Sequence, residues 1–171
     1  PMYCGFSRGY FENIVLQNLS GLMIAFGRFA NDMIIFTTQE FNFLSLPNNF
    51  TTGSSIMPQK RNYDVFEIMR GNTKVFHSYQ NQIQEIISAL GSGYNRDLQL
   101  TKKPFVLGMN LCVETMELFV EIIDNLKVNK EALEKAMTPD LFVTEEVYEH
   151  VKKGESFREA YLEVKNKWNK E

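Results

Sequence analysis

Two serine hydroxyls, the Lys60 cation and the Asn62 carboxamide stand within ten residues of one another at Gly53-Ser54-Ser55-Ile56-Met57-Pro58-Gln59-Lys60-Arg61-Asn62. A lysine ammonium can hold a carboxylate as a mobile point charge, and an asparagine adds a directional amide donor. A serine hydroxyl is a poor base unless loop N–H groups, a helix N-terminus or a nearby cation stabilise its oxyanion. Gly53 permits close backbone approach, and Pro58 keeps the stretch out of a helix. Taken alone, Gly-Ser-Ser more often only hydrogen-bonds a turn. Lys60 then reads as a solvated lysine and Asn62 as the cap of the helix that follows. A second group, Tyr94, Gln99 and Lys102, follows Gly91-Ser92-Gly93. By residue type alone Tyr94-Asn95 there is an ordinary surface turn.

The elements that position these residues are helical. Leu19, Leu22, Met23, Phe26, Phe29, Ala30 and Met33 fall at helical spacing and predict a long helix over 11–40. Leu16, Ile24, Ile34 and Ile35 widen its apolar surface beyond one stripe, which places it inside a bundle. Residues 41–62 form a long polar connection, the kind that is usually functional or disordered. A second helix runs over 63–90, with Val65, Ile68, Met69, Val75, Phe76, Tyr79, Ile83, Ile86 and Ile87 on its buried side, and Gly91 just past its end. A third runs over 104–126 with Phe105, Met109, Cys112, Met116, Phe119 and Ile123 as its seam and Pro104 in its first turn.

After Lys127 the helices become short and charged. Thr138-Pro139-Asp140 starts one, Gly154 follows its end, and Ser156-Phe157-Arg158-Glu159 has the spacing of a capping box. No strand pattern of period two persists. The fold class is all-α: a long-helix bundle over 1–130, carrying the serine loop, and a small C-terminal helical domain over 131–171.

The bulk numbers exclude several classes. A net charge of −3 without a basic run argues against nucleic-acid binding. The most apolar stretch, Gly21 to Phe36, is broken by Arg28, Asn31 and Asp32, which argues against a membrane span. Cys4 and Cys112 have no metal-type spacing and read as free thiols of a reducing compartment. No metal-ligand spacing and no phosphate-binding glycine pattern occurs, so no cofactor is expected. His77, on a mostly buried helix face, reads as a satisfied core or interface histidine. The first residue is Pro1, and a missing N-terminal portion is expected.

The ten-residue stretch closely resembles the G-S-S-x-M-P-x-K-x-N signature of the fumarase/aspartase superfamily, matching all seven fixed positions, and Glu67 completes its longer form. Tyr94-Asn95-Arg96-Asp97-Leu98-Gln99 is similar to the Y-N-K/R-D-L-Q stretch of the argininosuccinate lyases, the branch that includes the lens δ-crystallins. Thr138-Pro139-Asp140-Leu141 and Gly154-Glu155-Ser156-Phe157-Arg158-Glu159-Ala160 look like that branch's terminal domain. The resemblance spans about Phe26 to Val164. It departs at Asn62-Tyr63-Asp64, where the branch usually has Asn-Pro-Asp.

The resemblance implies a lyase that eliminates fumarate from argininosuccinate to leave arginine, without a cofactor, in the cytoplasm. Ser54 would be the base, and Lys60 and Asn62 would hold a substrate carboxylate. Met57 would pack the loop over the ligand, with Gly53, Ser55 and Glu67 supporting that loop. Tyr94, Gln99 and Lys102 would surround the rest of the substrate. The family's two earlier signature regions, one bearing a catalytic-site histidine, do not occur here, and His77 and His150 lie in the wrong contexts to replace it. The chain alone is therefore expected to be inactive. Family members are homotetramers whose active sites combine regions of three subunits. The alternatives are another superfamily enzyme, such as an adenylosuccinate lyase, and a non-catalytic crystallin-like assembly protein.

Overall fold

The computed structural model describes residues 2–53 and 55–169. Its elements are α1 (Met2–Phe6), α2 (Tyr10–Phe36), α3 (Asp64–Ile87), α4 (Lys102–Asn125), α5 (Lys130–Ala136), α6 (Val143–Lys152) and α7 (Phe157–Trp168). Two-residue strands β1 (Leu44–Ser45) and β2 (Lys127–Val128) pair antiparallel, and short 3₁₀ segments cover Asn48–Phe50, Arg96–Thr101 and Pro139–Phe142. The chain divides between Val128 and Asn129 into two compact units.

The first unit is built on α2, α3 and α4. Leu16, Met23, Phe26, Ala30 and Met33 of α2 are buried, as are Phe66, Met69, Phe76 and Ile83 of α3, all at spacings of three, four or seven residues. Phe119 of α4 joins Phe26 and Phe29, its ring centroid 4.9 and 5.0 Å from theirs. Small residues set the closest approaches. A Cβ on Gly27 would lie 3.0 Å from Thr73 Cγ2, and one on Gly108 would lie 3.1 Å from Leu16 Cδ1.

Several expectations are corrected here. α2 ends at Phe36, because the chain turns through Thr37 and Thr38, whose hydroxyls bond the carbonyls of Met33 and Ile35. The buried stripe of α4 is Pro104, Gly108, Cys112, Thr115 and Ile122, whereas Met116 and Ile123 are exposed. Ile68 and Val75 of α3 are likewise exposed. Pro104 is the third residue of α4, which begins at Lys102. By length and composition α2 would suffice to cross a membrane. Its buried face is the seam against α3 and α4.

The second unit closes a small core of Val147, Ala160 and Val164. Ser156 starts α7 with a complete capping box: its hydroxyl accepts from the Glu159 N–H, and the Glu159 carboxylate accepts from the Ser156 N–H. Gly154 adopts the left-handed conformation, at φ 102°, just beyond α6.

Candidate active site

Thr52 and Asn62 close the serine loop at its neck. The Thr52 N–H donates to the Asn62 carbonyl at 3.0 Å, and the Asn62 N–H donates to the Thr52 carbonyl at 3.1 Å. Within the loop the Lys60 N–H donates to the Met57 carbonyl at 3.0 Å, and Arg61 Nη1 donates to Asn48 Oδ1 at 2.7 Å. Gly53, Ser55, Met57 and Lys60 are exposed. Ser54 lies outside the described residues.

Below the neck the chain enters α3 through Tyr63, which occupies the N-cap position without a side-chain cap. That corrects the expectation that Asn62 caps this helix, because its backbone is committed to the bridge with Thr52. The Tyr63 hydroxyl instead donates to the Leu46 carbonyl at 3.0 Å and accepts from the Leu46 N–H at 3.2 Å. A cleft of about 380 Å³ lies here, lined by Lys60, Asn62, Tyr63 and Glu67 with Thr38 and Gln39. The structure thus brings together Lys60, Asn62 and Glu67, and adds Gln39 and Thr38 from the turn after α2. No sequence signal marked those two, because they reach the cleft only through the turn that ends the helix. A cation and amide donors around a solvent-open cleft can hold a dicarboxylate.

The second group assembles at the other end of α3. Gln99 Nε2 donates to the Tyr94 hydroxyl at 3.3 Å, and the Arg8 guanidinium lies 4.8 Å from the Tyr94 ring centroid. The Gln99 hydrogen bond, then Arg8, with a contribution from Lys102, lowers the Tyr94 pKa below its ordinary value. The Asn95 side chain donates to the Gly91 carbonyl at 2.8 Å and pins the loop. Arg8 also lines a cavity of about 620 Å³ with Asn13, Gln17, Gln84, Ser88 and Asn95.

These two groups do not meet within the chain. α3 has 24 residues, which at the helical rise is about 36 Å. Lys60, Asn62 and Glu67 sit at its start; Tyr94, Gln99 and Lys102 sit beyond its end.

Neither histidine joins either group. His77 is half-buried in α3, and its Nε2 has no hydrogen-bond partner among the described residues. His150 of α6 has Nδ1 at 3.0 Å from Glu155 and 3.7 Å from Glu163. Metal-type spacing rules miss this cluster, because its members meet only when α7 folds back beside α6.

Residues 14–76 match the model of a family described as lyase. Over 164 residues the chain is 41% identical to an argininosuccinate lyase of Sorangium cellulosum, covering 96% of this chain and 38% of the relative. It is 39% identical over 171 residues to an argininosuccinate lyase of Thermotoga neapolitana, covering all of this chain and 43% of the relative. The chain thus spans about two fifths of the length of the curated relatives it matches. In fold it is similar to a class II fumarase from Schistosoma mansoni, with a TM-score of 0.73 at 18% identity over 90% of this chain and 36% of that one. A fumarate lyase:delta crystallin from Brucella melitensis superposes with a TM-score of 0.63 at 18% identity, covering 88% of this chain and 38% of that one.

Proposed function

We propose, for a chain of the argininosuccinate lyase family, that it contributes the serine loop and the Tyr94 cluster to sites that eliminate fumarate from argininosuccinate. The observation that carries this reading is the neck between Thr52 and Asn62. It fixes both ends of the loop while leaving Lys60 exposed beside the cleft that Asn62 and Glu67 line. A loop held at a fixed neck suits a site that closes over its ligand.

The reaction is an anti β-elimination. A base takes the proton from the carbon next to a carboxylate, forming an aci-carboxylate, and the C–N bond then breaks to leave fumarate and arginine. In this reading Ser54 is the base. Lys60 supplies positive charge to the carboxylate that gains electrons, and Asn62 supplies a donor to it. Met57 packs over the ligand, and Glu67, in the first turn of α3, braces the loop with Gly53 and Ser55. Tyr94, Gln99 and Lys102 hold the arginine half.

One substrate cannot touch both groups of a single chain when a helix of about 36 Å separates them. The site must then combine the serine loop of one copy with the Tyr94 cluster of another. The exposed Ile68 and Val75 of α3 and Val113, Met116, Val120 and Ile123 of α4 provide apolar faces for such packing. We infer a homotetramer that acts on small molecules in the cytoplasm. The chain spans about two fifths of the relatives' length, and in this reading the rest of that length supplies further parts of the site.

The test is fumarate release, followed by ultraviolet absorbance, from a full-length parent carrying these residues. The expected result is turnover of argininosuccinate, not adenylosuccinate, and a loss of about a thousandfold on Ser54→Ala without loss of folding. Full rate in Ser54→Ala would remove Ser54 as the base. Release from adenylosuccinate alone would move the substrate to the sister branch.

A further inference from the structure

Tyr94 is 65% exposed and stands in a loop without helical or strand hydrogen bonds, so its ring has little around it to fix its direction. Two side chains supply what the backbone does not. Gln99 donates to the hydroxyl at 3.3 Å, from the 3₁₀ turn that follows. Arg8 lies against the ring face, 4.8 Å from the centroid, from the turn between α1 and α2, more than eighty residues earlier in the chain.

The turn that carries Arg8 is held by a glycine at which any side chain would be strained. Gly9 has φ 75°, in the left-handed region. A Cβ there would fall 2.6 Å from Ile87 Cγ2, 3.2 Å from Leu98 Cδ2 and 3.4 Å from Thr101 Cγ2. Those three residues are the last turn of α3 and the 3₁₀ turn that presents Gln99. Gly9 therefore lets the start of α2 dock directly on the segment that carries the tyrosine cluster, and its neighbour Arg8 is delivered to the ring. The docked turn is itself hydrogen-bonded: the Tyr10 N–H donates to the Ser7 carbonyl at 3.0 Å and the Asn13 N–H to the Gly9 carbonyl at 3.1 Å.

We propose that Arg8 is a positioning residue, whose guanidinium, docked through Gly9, holds the Tyr94 ring in the direction from which its hydroxyl meets the substrate. This rests on the reading of Tyr94 as a substrate-binding residue. Arg8 acts on the phenol and not on the reacting atoms, so its removal weakens substrate capture more than it slows the chemical step. The cationic groups facing the phenol are Arg8 and Lys102, with the neutral Gln99 amide on the hydroxyl.

The experiment uses Arg8→Met, Tyr94→Phe and the double variant in the full-length parent, with two readouts. The first is the ultraviolet titration of the phenol near 295 nm, taken as the difference between each variant and its Tyr94→Phe counterpart so that every other tyrosine cancels. Tyr94 should titrate below an ordinary tyrosine in the parent and move upward in Arg8→Met. An unmoved titration would overturn the contact. The second is steady-state kinetics with argininosuccinate. Arg8→Met should raise KM about tenfold with kcat changed less than about twofold, and should add almost nothing in the Tyr94→Phe background. An equal loss in both backgrounds would overturn positioning through Tyr94. A parent that releases no fumarate would defeat the proposed reaction, while the titration would still decide whether Arg8 governs this phenol.

Discussion

The phenol of Tyr63 is bonded twice to the backbone of Leu46, donating to its carbonyl at 3.0 Å and accepting from its N–H at 3.2 Å. Tyr63 stands where the resembled signature usually has proline, which would preset the first helical turn through its fixed φ. Here the entry to α3 is set by a side chain tied across 17 residues to a buried leucine next to β1. Tyr63→Phe keeps the ring against Phe66 and removes both bonds. It should cost about 1–2 kcal/mol in urea unfolding and increase proteolytic cutting between residues 46 and 63. An unchanged midpoint would show that the helix entry does not depend on this tie.

Gly27 and Thr73 set the distance between α2 and α3. Alanine at 27 gains about 1 kcal/mol in helix propensity. Its Cβ would, however, meet Thr73 Cγ2 at 3.0 Å and Oγ1 at 3.1 Å, on a side chain whose hydroxyl is engaged with the Arg70 carbonyl. Overpacking of this kind costs about 1–3 kcal/mol, so Gly27→Ala should destabilise by about 1 kcal/mol. A stabilised variant would mean that Thr73 swings away freely.

The two thiols should differ sharply in reactivity. Cys4 is exposed, whereas Cys112 is only 2% exposed in the seam of α4, and burial raises its pKa. The thiolate is the reactive form. A chromogenic aryl disulfide should therefore titrate one thiol in the native protein within minutes and the second only after denaturant is added. Rapid reaction of both would show that α4 opens readily.

Acid should loosen the C-terminal unit through its capping box. Hydrogen bonds from the Ser156 hydroxyl, then from its N–H, lower the Glu159 pKa below the ordinary value. A group whose folded pKa is depressed contributes stability that is fully present above its unfolded pKa and lost as pH falls through the folded one. The contribution therefore stands at neutral pH and disappears below the ordinary glutamate range near pH 4.3. Glu159→Gln should lower the melting temperature at pH 7 and flatten its decline in acid. Parallel acid limbs in the two proteins would contradict this.

Much of the bundle was legible from apolar spacing, which located all three long helices to within a few residues. The faces were harder to read. On α4 the large residues Met116 and Ile123 looked like the seam, yet the packing runs through Gly108 and Thr115, because small residues let helices approach closely. A helix apolar on several sides does not say which side meets its own chain. The neck between Thr52 and Asn62 was equally hidden, since a single bridge leaves no periodic trace. Arg8 escaped notice because nothing local links it to Tyr94; only the docking of Gly9 does.

The separation of the two residue groups along α3 is best tested by mixing. Two full-length variants, Ser54→Ala and Lys102→Met, should each release almost no fumarate from argininosuccinate. Unfolded and reassembled together, they should recover about a quarter of the parent rate, because some sites then pair an intact serine loop from one copy with an intact Tyr94 cluster from another. Mixtures that assemble yet stay inactive would contradict a site shared between copies.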